Sequence, residues 1–234
     1  MAEPTCWMDL ETPAALVDVD RMAANLKKVG EYCRKWGISY RPHAKTHKSA
    51  ELAREQVAVG AVGMTVATMK EAEVMAEACR DILLAYPPIG KPRMDRLLSL
   101  SEDVRLSVAL DSSQALQGLA RAATAAGRQV TVLIEVDMGM GRVGVQGISE
   151  AVRLAEETVG SAGIQYGGIL IYPGHIRRPV GEQLPDIQAS TARLATLLET
   201  LAGAGLPPTV VSGGSTPTLF SSHLMTGVTE VRPG

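Results

Sequence analysis

Aromatic side chains make up only 3% of this 234-residue chain, and a single phenylalanine is among them. A core of any size must therefore be built from Leu, Val, Ile, Ala and Met, and at 46% apolar content there is enough material for one. Cysteine is scarce too. Cys6, Cys33 and Cys79 are odd in number, scattered and in no CxxC pair, which argues against a disulfide framework or a structural zinc cluster and points to a reducing compartment. Neither sign of charge dominates. With a formal net charge of −2, neither nucleic acid nor an acidic membrane surface is an expected partner. No apolar run approaches the roughly 18 residues of a membrane helix. The N-terminal residues lack the basic and apolar regions of a signal peptide. What remains is the expectation of a soluble cytoplasmic protein whose length suits one large domain.

Periodicity then organises the chain. Residues 14–18 read as a short strand, and 21–36 as a helix with Met22, Leu26, Val29 and Cys33 at helical spacing, stopped by Gly37. A short apolar approach, 37–40, precedes a basic cluster and a helix near 49–59. Further strands are expected at 61–66, 81–85, 104–110, 130–136, 164–171, 209–211 and 227–231, with helices over 70–79, 112–126, 148–159 and 186–204. Such alternation implies βαβ units and a parallel sheet. Counted from Ile38 the strands number eight, the arithmetic of a (β/α)8 TIM barrel, with a doubly wound sheet as the alternative. The strand at 14–18 is left over, and the chain stops at Glu230-Val-Arg-Pro-Gly234, where an eighth strand would finish. The expected organisation is an N-terminal strand in residues 1–19, belonging with a second domain missing from this chain, and a barrel over residues 20–234.

The chemistry concentrates where strands end. Tyr40-Arg-Pro-His-Ala-Lys-Thr-His-Lys48 places Arg41, His43 and Lys45 on one face if a strand continues through it. Pro42 cannot donate to a sheet ladder, so pairing is expected to bulge or end there, tilting Lys45 toward the barrel mouth. Lys48, beyond the strand, reads as solvated. Glu135-Val-Asp-Met-Gly-Met-Gly-Arg142 leaves the fifth strand and delivers an arginine suited to an oxyanion. Ile171-Tyr-Pro-Gly-His175 adds a phenol and an imidazole at the end of the sixth. Ser212-Gly-Gly-Ser-Thr216 follows the seventh, where barrels commonly bind phosphate and where adjacent glycines let backbone N–H groups converge on an anion. Phosphate cradle, amine, arginine and proton-transfer groups are what pyridoxal phosphate asks for. A sugar-phosphate aldolase working through a lysine Schiff base would use the first three as well, and the residues alone do not separate the two.

RPHAKTHK, EVDMGMGRVGV, YPGH, SGGSTPT and the terminal EVRPG occur in the order seen in the D-threonine aldolase and metal-dependent D-serine dehydratase family, which the chain resembles over nearly its whole length. That family belongs to the alanine-racemase-like, fold type III pyridoxal phosphate enzymes. The resemblance implies an alanine-racemase-type N-terminal barrel, a C-terminal β domain absent here, and a homodimer when full length. It makes Lys45 the Schiff-base lysine, puts Arg142 at the cofactor's phenolate oxygen and Tyr172 along its ring, and makes Ser212, Gly213, Gly214, Ser215 and Thr216 the phosphate cradle. His175 is similar to the family's base beside the substrate, so Lys45 and His175 are the catalytic candidates. Glu135 stands where alanine racemases carry a lysine, which argues against simple racemisation. The implied activity is a lyase cleaving small β-hydroxy D-amino acids to glycine and an aldehyde, with β-elimination to a 2-oxo acid and ammonia, or a barrel that binds cofactor without turnover, as alternatives. The family's divalent metal is held in its C-terminal domain. His43, His47 and His175 are taken by the motifs and His223 is isolated, so no metal site is expected in this chain.

Overall fold

The computed structural model describes residues 6–234. Its helices are α1 (Val19–Trp36), α2 (Ala50–Ala58), α3 (Met69–Ala76), α4 (Lys91–Leu98), α5 (Ser113–Ala125), α6 (Ile148–Val159) and α7 (Leu184–Gly203). They alternate with β1 (Ser39–Tyr40), β2 (Met64–Val66), β3 (Asp81–Leu84), β4 (Arg105–Leu110), β5 (Val130–Val136), β6 (Ile164–Ile171), β7 (Val210–Gly213) and β8 (Glu230–Val231). Capping follows local chemistry. The side chains of Asp18, Ser49, Thr68 and Ser112 accept from the first-turn amides of α1, α2, α3 and α5, and Gly37 ends α1 in the left-handed region at φ 63°. The helix α4 has no counterpart in the periodic reading. Pro92 in its first turn, after Pro87, Pro88 and Gly90, reads as loop, and Leu97 is its only buried residue.

All eight strands are parallel and run in the order β1-β8-β7-β6-β5-β4-β3-β2. The ends of this sheet meet through isolated bridges, Tyr40 with Ala61 and His43 with Thr65, so the barrel closes with a seam between β1 and β2. Alternation along each strand then separates two layers. Outward positions such as Ile82, Val108, Ile134 and Ile169 pack under the helices, and inward Leu83, Ala109, Leu133 and Leu170 plug the middle of the barrel. Residues 14–18 are exposed and pair with no strand among the described residues, and Asp18 caps α1. Residues 1–5 of the region assigned to a second domain lie outside the described residues. No helix is long and apolar enough to cross a membrane.

Candidate active site

The basic cluster is divided between strand and turn. Arg41 and His43 carry on the β8 side of the ladder, their amides donating to Val231 O at 3.0 Å and Pro233 O at 2.8 Å. Pro42, lacking an N–H, serves only as acceptor, taking the Thr65 amide at 2.8 Å. Pairing therefore reaches past Pro42, although the regular strand stops at Tyr40. At Ala44–Thr46 the chain tightens into a 3-10 turn, so Lys45 leaves the face shared by Arg41 and His43 and is presented by the turn. His43 caps that turn, accepting the Lys45 amide at Nδ1. Burial, with Lys45 and Arg232 nearby, pushes the His43 imidazole down to about 3, so it is neutral. The end of the motif clamps the turn to its neighbours. His47 pairs with Gln56 at 3.1 Å, and Lys48 approaches the buried Glu71 carboxylate at 3.8 Å. Lys48 is largely exposed, as expected, with this one long ion pair besides, and its backbone is at φ 56°.

The loop after β5 is shaped by one carboxylate. Asp137 accepts the amides of Gly139, Met140 and Gly141 at 3.2, 2.9 and 3.1 Å, and Gly144 donates to Asp111 at 3.1 Å. This fold of the loop sets the Arg142 guanidinium over the Tyr172 ring, 4.7 Å from its centroid. Gly174 must lack a side chain, because a Cβ there would stand 2.1 Å from the Tyr172 ring.

After β7 the chain turns through Gly214, at φ 78°. The Thr218 hydroxyl binds the Ser215 amide at 3.0 Å, and the Gly234 amide donates to the Thr216 hydroxyl at 2.9 Å. The amides of Gly214 and Thr216 find no acceptor among the described residues. Two unspent donors on a glycine turn at the mouth of a barrel suit a phosphate.

These pieces surround one cavity of about 540 Å³ at the C-terminal ends of the strands, lined among others by Lys45, Arg142, Tyr172, Gly214, Ser215 and Thr216. Three expected members stand apart from its lining. Ser212 lies below the cavity, its hydroxyl donating to Glu230 at 2.5 Å and accepting from Arg232 at 2.7 Å, because its even-numbered neighbours on β7 alternate inward one level beneath Gly214. His175 is exposed and is not among the lining residues. Gly213 closes β7, packed against Ile171 and Val228. A larger groove of about 960 Å³ lies between α4 and α5, away from the strand ends.

Three charged cavity residues were not assigned a role from sequence: Asp111, which accepts the Gly144 amide, and the pair Arg232 and Glu135. Arg232 is buried, with one guanidinium nitrogen on Ser212 and another on Ile171 O at 2.9 Å. Burial pulls it down to about 10 against the pull of Glu230 and Glu135, so it stays cationic at neutral pH. The Glu135 carboxyl is buried without a hydrogen-bond partner among the described residues, and burial raises it to about 7 despite Arg232. The signal for both was the two-residue period: Glu135 follows Leu133 on the inward face, and Arg232 follows Glu230. Among the described residues, no group of three His, Cys, Asp or Glu side chains is placed to hold a metal ion.

The family described as alanine racemase, N-terminal domain, matches residues 17–234. A D-threo-3-hydroxyaspartate dehydratase from Delftia sp. (strain HT23) is 37% identical over 97% of this chain and 61% of that protein. A D-threonine aldolase from Arthrobacter sp. is 29% identical over 88% of this chain and 55% of its own length. The crystal structure of D-threonine aldolase from Filomicrobium marinum superposes with a TM-score of 0.93 at 29% identity, covering 97% of this chain and 63% of that one. The chain thus spans about 60% of the length of such relatives.

Proposed function

Because the chain belongs to the alanine racemase N-terminal domain family, we propose that it is the cofactor-binding barrel of a pyridoxal phosphate-dependent lyase acting on small β-hydroxy D-amino acids. The observation that carries this reading is the convergence of Lys45, Arg142, Tyr172 and the Gly214–Thr216 turn on one cavity. The fit to the cofactor is chemical. The unspent amides of Gly214 and Thr216 suit its phosphate, Arg142 its phenolate oxygen, and Lys45 its aldehyde. When bound, the cofactor supplies an electron sink for the carbanion left at the substrate's Cα.

Lys45 would hold the cofactor through its aldehyde, and its amine, when free, would be the group to move the α-proton. Arg142 keeps an oxyanion in place while stacked on Tyr172. His43 faces the cavity as a neutral imidazole, so it adds no charge beside the Lys45 amine. His175 is assigned the proton of the substrate's β-hydroxyl, for cleavage to glycine and an aldehyde. The relationship to the Delftia dehydratase favours a second reading on the same residues, β-elimination to a 2-oxo acid and ammonia. Ligands for a divalent metal, and a homodimeric cytoplasmic assembly, belong to the same proposal for the whole protein and are carried by the resemblance.

The test is spectroscopic first. Purified protein given pyridoxal phosphate develops a visible absorption band, and Lys45→Ala abolishes it. A wild-type protein that takes up no cofactor would sink the reading. Product analysis with D-threonine, D-serine and 3-hydroxy-D-aspartate then separates the reactions: aldehyde with glycine means cleavage, and a 2-oxo acid with ammonia means elimination.

A further inference from the structure

The loops after β6 and β7 are joined by one side chain that no motif contains. Gln183 sits just before α7 and is 1% exposed. Its amide nitrogen donates to Arg178 O at 2.8 Å and to Pro217 O at 2.8 Å. The first carbonyl belongs to the loop that begins at Tyr172, and the second directly follows Thr216 in the phosphate turn. Neither carbonyl has another partner among the described residues. The amide's own oxygen is buried with no partner among the described residues. Turning the amide over would set that oxygen against two acceptors, so the orientation is dictated by chemistry. A buried acceptor left orphaned is unfavourable, and an apolar side chain would avoid it. Glutamine's use at this position is therefore its two N–H groups. Its backbone is fixed as well: Gln183 O accepts the Ile187 amide and opens α7, whose Ile187, Leu194, Leu197 and Leu201 are buried against the barrel.

We propose that Gln183 is a positioning residue of the cofactor site, whose amide holds the phosphate turn at a set distance from the loop bearing Tyr172 and so fits the cradle to a phosphate monoester. This rests on the cofactor reading above and adds to it the element that ties the two sides of the cavity together. Pro217 and Tyr172 both line that cavity, so the crosslink spans it from outside without touching the ligand. A role in stability alone would weaken every ligand of the cavity alike. A role in shaping the cradle is selective for ligands that carry the phosphate.

The experiment compares pyridoxal phosphate with pyridoxal, which lacks the phosphate, on the wild-type protein and Gln183→Met. The expected result is a loss of about tenfold or more in affinity for pyridoxal phosphate, with pyridoxal binding changed by less than about twofold. Equal losses for both ligands, or an unchanged affinity for pyridoxal phosphate, would overturn the inference while leaving the cofactor reading intact. Wild-type protein that binds neither ligand overturns both. Hydrogen exchange on the wild-type protein keeps the test open if the variant does not fold. Pyridoxal phosphate is expected to slow exchange at 174–180 together with 213–219, and slowing confined to 213–219 would contradict the crosslink.

Discussion

Arg41 and Asp81, 40 residues apart and on strands that are not neighbours, meet inside the barrel at 2.6 Å. The same guanidinium donates from Nε to Glu230 at 2.7 Å. Arg41, just past the end of β1, therefore spans from β8 on one side, across β2, to β3 on the other. The passage over β2 exists because residue 63 is glycine: a Cβ there would lie 2.4 Å from the Arg41 guanidinium. Burial works against the Arg41 charge, but Glu230 and Asp81 outweigh it and hold its pKa above the ordinary value.

Breaking this arrangement from one side leaves Asp81 with only the exposed Arg105, at 3.1 Å, and the buried Glu230 with the Ser212 hydroxyl and the more distant charge of Arg232. Arg41→Met is expected to lower stability by about 3–5 kcal/mol. Adding Glu230→Gln to Arg41→Met should recover part of that loss, since a neutral amide tolerates burial better than a lone carboxylate. Urea unfolding at neutral pH measures both, and a single variant within ~1 kcal/mol of wild type contradicts the argument.

Glu135 gives a prediction with a defined pH sign. Burial raises its folded-state pKa to about 7, above the unfolded value, so the folded protein binds more protons through that window. Stability associated with the neutral carboxyl is thus complete below about pH 4 and lost as pH rises through 7. Glu135→Gln keeps the neutral form throughout. It should match wild type near pH 4 and exceed it by about 2–3 kcal/mol at pH 8 in the cofactor-free protein. Equal stability at pH 8 would mean that Arg232 and Arg142 already satisfy the charge.

Lys48 is the one non-glycine residue at positive φ among the described residues. A branched β-carbon fits that conformation badly, so Lys48→Val is expected to cost about 1–2 kcal/mol. Lys48→Gly relieves the backbone while losing only a partly exposed ion pair, and should be close to neutral. Thermal denaturation of the two variants in parallel checks this. A glycine variant as damaged as the valine one would assign the effect to the Glu71 pair.

Asp137 carries the conformation of the Arg142 loop. Asp137→Ala removes the acceptor of three amides, with an expected loss of about 2–3 kcal/mol. Asp137→Asn keeps one acceptor oxygen and should lose less. Exchange rates of the 139–141 amides are the direct readout, and protection undiminished in the alanine variant would rule the mechanism out.

Strand count, strand ends and the residues that converge on the cavity were legible because a two-residue period and a glycine turn are local properties. Lys45, Arg142, Tyr172 and the Gly214–Thr216 turn are together in the structure. What was not legible depends on closure of the barrel. Ser212 was expected in the cradle, yet its hydroxyl belongs to Glu230 and Arg232, which are 18 and 20 residues away. Gln183 meets Pro217 across 34 residues, and nothing at either position announces it. Helix α4 stayed hidden because its turn residues mimic a loop, and the Lys48 pair with Glu71 because an ion pair leaves no periodic mark.

The seam between β1 and β2 makes this barrel a split ring. Seven of its eight joints are ladders, while the eighth has two bridges and the Arg41 pin passing over Gly63. A ring of that kind gives first at the split, and the turn holding Lys45 is mounted on one lip of it. The turn that presents Lys45 therefore depends on the split side of the ring, while the Gly214–Thr216 turn follows β7, which is joined to β6 by three residue pairs and to β8 by two.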